Sequence, residues 1–432
     1  MEWQNFISLG GMVALIFLAY ACSQDRRHVN WHIVVWCIGF QLLIAWFLFV
    51  VPSGVRLFHL LNEGVILLIE SSNAGARFLF GALAVPPGGS GPAGEESLGF
   101  IFAFQVFPSI VFFSSLMSIL YFWRVLPFLI KLFSRLFTKL MNVSGAEALC
   151  AASNIFVGIE SVTTVRPYLR EMTRSELCVV LTAGMATVAS NVLAVYVLSL
   201  REVFPNIAGH LISASLLSAP AAVMMAKLLY PEDGQPVTRG IDVDPHYDKD
   251  GSFFEAVING AQAGVKLIVG ICALLIAILG LVALTDQLLG VVGRQLLPGS
   301  SWSLAGICGV VFYPFTVLMG IPLDDAGVLS KVIGARLIVT ELTAYQNLAS
   351  VIKAGSVVHE RSVVITTYAL CGFAHVASLA IFIGGVSALV PEKTRDLSAV
   401  AARSLLAATL ACLMTGCVAG LFFVGRGSVL FG

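Results

Sequence analysis

The strongest constraint on this chain is a series of apolar stretches too long for a soluble core. A bilayer interior of ~30 Å takes about 20 consecutive apolar residues in helical form. Such blocks run near 6–22, 32–51, 99–121, 177–199, 207–229, 264–289, 362–386 and 399–424. Composition agrees, since 58% of the 432 residues are hydrophobic and only 12% are charged, about half the charged share of soluble domains. The sequence predicts an all-α polytopic membrane protein with eight transmembrane helices.

Several function classes fall away at once. The formal net charge is zero, which leaves no basic footprint for a nucleic-acid partner. The nine cysteines stand singly, mostly inside apolar runs, with no CxxC pair or zinc spacing; they read as small buried hydrophobes. HExxH, P-loop and GxSxG patterns are absent from the sequence. Leu18–Cys22 has the outline of a lipoprotein cleavage site, but no basic segment precedes it and Arg26 and Arg27 follow, as expected of a retained first helix.

Basic residues set the orientation. With the N-terminus outside, the inner loops collect Arg26, Arg27, Arg124, Lys131, Arg135, Lys139, Arg166, Arg170, Arg174, Arg239, Lys249, Lys393 and Arg395. Both termini are then expected outside. Residues 52–83, with Arg56, Glu63, Glu70 and Arg77, predict an outer interfacial helix. Residues 124–142 put Lys131, Arg135 and Lys139 on one face and Phe128, Leu132 and Leu136 on the other, the pattern of an amphipathic helix on the inner leaflet or of a helix satisfied within a protein interface. Residues 231–252 are a hydrophilic loop rich in turn formers.

Two stretches resist the simple spanning reading: Ser144–Leu169 and Ile321–Ser350. Each is long enough to enter the membrane, turn and leave, and each carries one interior glutamate, Glu160 or Glu341. Interrupted helices persist in a bilayer only where protein or a water-filled cavity satisfies the freed backbone groups. Each stretch is followed by a span with a similar heptapeptide, Gly184-Met-Ala-Thr-Val-Ala-Ser190 and Gly372-Phe-Ala-His-Val-Ala-Ser378, which agree at five of seven positions. On this topology the hairpins enter from opposite faces, so the units form inverted repeats, a pattern that points to a transporter with its site near the midplane.

The candidate site residues follow. A carboxylate at mid-membrane depth costs about 3 kcal/mol on insertion scales, so Glu160 and Glu341 are expected either to contact a polar solute or to pair with structural donors such as Thr163, Thr164 or Tyr345. His375 sits mid-span, three residues before Ser378 and on its face. A packing histidine and a ligand-contacting one are both open. Asn154 lies before Gly158, where an unwound tip can offer oxygens to a cation.

These motifs resemble those of the concentrative nucleoside transporter family. SGAEALCAASNIFVGIES, TAGMATVASNVLAVYV, MGIPLDDAG, TELTAY and TYALCGFAHVASLAIFIGG occur in that family's order over nearly the whole chain, and FAFQVFPSIVFFSSLMSILYF matches the span ahead of the first hairpin. The resemblance implies a homotrimer in a bacterial inner membrane, working by an elevator-like motion, with symport of a nucleoside or related solute driven by Na+ or H+ and no other cofactor. Glu160 then matches the glutamate facing the nucleobase, with Gly158 beside it. Glu341 matches the one binding ribose hydroxyls, with Thr340 before it. Phe373, His375 and Ser378 match site positions of the next helix, and Asn154, Val157, Thr187 and Val188 match sodium ligands. It also implies a division into a scaffold (1–123), a first transport unit (124–230), a loop with a scaffold span (231–319) and a second transport unit (320–432).

Three departures fall at the site. The family's Gly-Gln-Thr-Glu is shortened to Gly158-Ile159-Glu160, its Asn-Glu-Phe-Val-Ala-Tyr appears as Thr340–Tyr345, and its Gly-Phe-Ala-Asn becomes Gly372–His375. They predict altered recognition of the base. A non-transporting nucleoside receptor, a proton-coupled carrier of another solute and a membrane-embedded enzyme are the competing readings.

Overall fold

The computed structural model describes residues 3–86, 94, 96–247, 249–296 and 302–424. The termini expected outside, residues 1–2 and 425–432, lie outside the described residues. The N-terminal part holds α1 (Trp3–Ala21), α2 (Trp31–Phe49), α3 (Pro52–Phe80), the short α4 (Phe102–Gln105), α5 (Phe107–Phe122) and α6 (Val125–Met141). The first repeat follows as α7 (Gly145–Val157), the single turn α8 (Ser161–Thr164), α9 (Arg174–Ala186) and α10 (Ser190–Leu200), closed by α11 (Ile207–Leu229). Beyond the hydrophilic loop come α12 (Phe253–Leu296) and α13 (Leu304–Leu318). The second repeat is α14 (Leu323–Ala335), α15 (Glu341–Lys353), α16 (Glu360–Leu370) and α17 (Val376–Leu389), closed by α18 (Thr394–Phe422). No β-strand forms among the described residues.

Among the described residues, eight helical stretches are long and apolar enough to cross a membrane by length and composition. The number agrees with the sequence reading, but the membership differs. Pro52–Ala84 qualifies, although its charged residues predicted an interfacial helix. The expected continuous span 362–386 does not qualify, because it is two short helices, α16 and α17, separated at Cys371–His375. The expected span 177–199 is likewise broken between α9 and α10. Both interruptions fall on the shared heptapeptide, so each repeat contains a broken span as well as a helix–turn–helix segment.

The breaks have a local cause. Gly372 takes φ +122°, a region that only glycine enters without strain. A Cβ there would lie 2.8 Å from the Ala186 backbone and from the Met185 carbonyl oxygen, so the two broken spans cross at their interruptions. His375 is the N-cap of α17 and accepts the Ser378 amide proton with its side chain, a duty that usually falls to Ser, Thr, Asp or Asn. Small residues in α9, α11 and α18 let these backbones approach, as is usual in membrane helix packing.

The hairpins are moored by carboxylates. Ser144 and Thr173 each form a capping box with the glutamate three residues on, Glu147 and Glu176. Buried Lys227 of α11 pairs with Glu147 at 2.5 Å and Glu232 at 3.2 Å, while Ser144 donates to Glu176 at 2.6 Å. In the second repeat, buried Asp325 accepts from Ser362 at 2.6 Å and from the Val358 and His359 backbone amides. Two of the basic residues expected to face lipid are otherwise engaged: Arg135 pairs with Asp242 at 2.6 Å, and Lys131 with Asp244 of the same loop. The basic face of α6 is therefore partly covered by protein.

Candidate functional site

Helix α15 begins at Glu341, directly after the N-cap Thr340, so the carboxylate sits where the helix dipole favours negative charge. Its oxygens are both occupied. The Tyr196 hydroxyl donates to Oε1 at 2.8 Å, and His375 Nε2 lies 3.0 Å from Oε2. Because His375 Nδ1 accepts the Ser378 backbone N–H at 3.2 Å, the neutral ring must carry its proton on Nε2. That proton points at Glu341 and at Ser378 Oγ, 2.6 Å away. Tyr345, one of the structural donors weighed for Glu341, instead donates to the Thr367 carbonyl at 3.0 Å.

Glu341, Thr340, His375 and Ser378 form the polar end of a cavity whose remaining wall is largely apolar, including Phe107, Ile110, Leu267, Ile271 and Phe373. A cavity with one polar end and an apolar body fits a small amphipathic solute, since few convergent polar groups in an apolar wall fix a ligand's orientation.

Glu160 lies elsewhere. It lines a second cavity with Tyr121, Val157, Arg166, Asn191 and, from the hydrophilic loop, His246, Tyr247 and Asp250. Its side chain is exposed there and is approached by Asn191 at a long 3.4 Å. Thr163 donates to the Glu160 backbone carbonyl rather than to the carboxylate, and Thr164 to the Ser161 carbonyl. The two glutamates therefore line different cavities, and not the single midplane site that the inverted repeats predicted. The first turn of α10 stands between them, with Asn191 lining the Glu160 cavity and Val192 the Glu341 cavity. Gly158 serves packing: at φ +66°, it has Ala189 so close that an added Cβ would lie 2.4 Å from the Ala189 Cβ.

That close packing brings the first hairpin tip against the first break, where the sodium ligands implied by resemblance reside. Asn154 is fully buried, its amide donates to the Cys150 carbonyl at 3.0 Å, and its Oδ1 has no hydrogen-bond partner. A buried acceptor without a donor is costly, so Oδ1 fits a cation. Buried Thr187 spends its hydroxyl proton on the Ala183 carbonyl at 3.2 Å, which leaves its lone pairs free. Val157 and Val188 offer backbone carbonyls at the ends of broken helices, the kind of group that coordinates sodium in such carriers. The donors here are neutral oxygens, and no group of three or more His, Cys, Asp or Glu that could hold a metal ion forms among the described residues.

Sequence reasoning found His375 beside Glu341 but missed Tyr196, its other partner, and Asn191 beside Glu160. Asn191 carried a usable signal, as a lone amide directly after the heptapeptide in an apolar run. Tyr196 had none, since a tyrosine inside an apolar helix is ordinary.

Family models for Na+ dependent nucleoside transporters match residues 10–83 and 210–420, and a nucleoside-recognition gate model matches 103–202. Solute carrier family 28 member 3 of Mus musculus is 35% identical over 433 aligned residues, covering 97% of this chain and 59% of the relative. The chain thus spans about three-fifths of the mammalian relatives' length. Nucleoside permease NupC of Helicobacter pylori is 35% identical over 98% of this chain and 99% of its own length. The structure of CNTnw in an inward-facing substrate-bound state superposes with a TM-score of 0.86 at 33% identity, covering 97% of this chain and 98% of that one.

Proposed function

This chain belongs to the Na+ dependent, or concentrative, nucleoside transporter family, and we propose that it is a cation-coupled symporter of nucleosides or closely related ribosyl solutes. The observation that carries the reading is Glu341 at the polar end of an apolar-walled cavity between a hairpin and a broken span. A ribose offers the hydroxyl donors that a carboxylate accepts, and a base offers a flat face for the apolar wall. Thr340 and Ser378 add hydroxyls to the sugar side, Phe373 a ring to the wall, and Glu160 with Asn191 waits on the base side. Sodium is the proposed coupling ion, held by Asn154, Val157, Thr187 and Val188.

In this reading the solute joins the two cavities by displacing the α10 turn that parts them, and the repeats move together past the scaffold helices. The Glu160 cavity is lined by the loop expected inside, which supports an inward-facing form. α12, 44 residues long with no buried residue in its most apolar window, is proposed to face lipid and neighbouring subunits of a homotrimer in a bacterial inner membrane, with both termini outside. Residues 1–123 and 231–319 would supply the scaffold, 124–230 and 320–432 the moving units.

Uptake of labelled nucleosides into proteoliposomes, with sodium and pH gradients imposed separately, tests this. Accumulation against a gradient driven by sodium supports it. Binding without accumulation under either gradient would make the protein a receptor. One contact favours a second reading, proton coupling: the His375 ring rests on Glu341, so a proton arriving there would change the solute's own ligand. Accumulation driven by a pH gradient alone, and lost in His375→Asn, would select it.

A further inference from the structure

Arg336 is the C-cap of α14, at the tip of the second hairpin, and is among the largest fully buried side chains of the molecule. Its Nη1 donates to the Ala369 carbonyl at 2.8 Å, its Nε has no hydrogen-bond partner, and it pairs with no carboxylate among the described residues. A guanidinium stays charged at any accessible pH, and an unpaired buried charge is expensive at membrane depth. Its place in the fold explains its retention. Ala369 lies in the last turn of α16, so the guanidinium sits between the C-terminal ends of α14 and α16, where two helix dipoles present negative charge.

The first repeat has the same geometry without the arginine. α7 and α14 are both 13 residues long, and α7 ends against the break that follows α9, as α14 ends against the break that follows α16. Gly158 takes the position of Arg336 after α7, and the buried polar atoms left unpaired near that tip, Ser153 Oγ, Asn154 Oδ1 and Asn191 Oδ1, are all oxygens. The fixed charges differ to match. The second tip carries Arg336 at the end of α14 and Glu341 at the start of α15, one charge of each sign. The first carries Glu160, whose cavity wall also holds Arg166 and His246, and among the described residues no ion pair joins it to either.

We propose that Arg336 is a tethered counter-ion that fills, in the second repeat, the place that the first repeat leaves for an exchangeable cation, so that the carrier takes one coupling cation per solute. The inference rests on the symporter reading above. One repeat has its positive charge built in, and the other acquires it only when loaded. The first tip is thus completed only when a cation is bound, which disfavours moving empty and ties movement to loading.

The test is the ratio of charge moved to labelled nucleoside moved in proteoliposomes, together with the sodium dependence of uptake. Wild type should move one elementary charge per nucleoside with a Hill coefficient of about 1 for sodium. Arg336→Ala should lower uptake about tenfold or more, the scale of losing a favourable helix-end charge, and added methylguanidinium should restore part of it. Arg336→Lys should keep the one-to-one ratio, and it decides the matter if Arg336→Ala does not fold. Two charges per nucleoside in wild type would overturn the counter-ion role while leaving the symporter reading intact. So would unchanged uptake in Arg336→Ala, or folded Arg336→Ala that methylguanidinium does not rescue, or a changed ratio in Arg336→Lys. No uptake by wild type under any cation gradient would overturn both.

Discussion

The two glutamates make an instructive pair. Each sits at a hairpin next to a broken span, yet one is sequestered and the other is open. Glu341 has both oxygens engaged by Tyr196 and His375, whereas Glu160 has a single long contact from Asn191 and faces an accessible cavity. The difference traces to helix geometry. Glu341 starts a helix, so its direction is fixed by α15 and it reaches the α17 N-cap. Glu160 sits in a 3₁₀ turn between α7 and α8, where no helix start fixes its direction. Glu341 is thus held in place and Glu160 only loosely, and preorganisation is what lowers the cost of binding.

Mutations can break or sharpen this contrast. The largest effect is expected at Glu341: Glu341→Gln removes a charged acceptor and should cut nucleoside uptake by about 100-fold, since hydrogen bonds to charged groups contribute roughly 1.5–3 kcal/mol each. Initial rates in proteoliposomes check it, and retention of half the activity would mean that the solute does not use this oxygen pair. Glu160→Gln should lose only about fivefold, in keeping with a looser contact and a single hydrogen bond of about 1 kcal/mol. Equal losses at the two positions would erase the asymmetry. Gly372→Ala should destabilise the fold by about 2–3 kcal/mol, the usual scale of strain combined with overpacking, and is read as a lower unfolding temperature in detergent.

The smaller effects test how Glu341 is held. Tyr196→Phe removes one donor and should weaken nucleoside affinity or rate by about threefold, from a net hydrogen bond of roughly 0.5–1 kcal/mol. His375→Asn keeps an N-cap of a favoured type while freeing one glutamate oxygen. It should tighten nucleoside binding by about two- to fivefold, because a solute hydroxyl would no longer compete with the ring. Thermal-shift titration measures this, and weaker binding in His375→Asn would mean that the histidine itself contacts the solute.

Much of this was legible in the sequence. Span lengths, the repeated heptapeptide and the interior glutamates all follow from apolar periodicity and from the cost of charge in lipid, and they located both hairpins and most of the residues around Glu341. The interruptions at 187–189 and 371–375 were not legible as breaks. No proline marks either, and Val188, Ala189 and Val376 read as ordinary apolar helix; tertiary packing of one break on the other overrides that local preference. Arg336 was hidden for the opposite reason. Within a polar segment it looked like one more loop charge, and only the α14 and α16 ends reveal why it is buried. The separation of Glu160 from Glu341 depends on where the α10 turn packs, which no spacing rule encodes.

The crossing at Gly372 has a mechanical consequence. With no side chain between its Cα and the carbonyls of Met185 and Ala186, the two halves are seated backbone on backbone and cannot slide there without losing contact. Cys412 of α18 rivets the joint further, its thiol 2.9 Å from the Cys371 carbonyl and 3.8 Å from that of Ala186. The two breaks are thereby tied to each other and to α18, so that a shift of one is carried to the other.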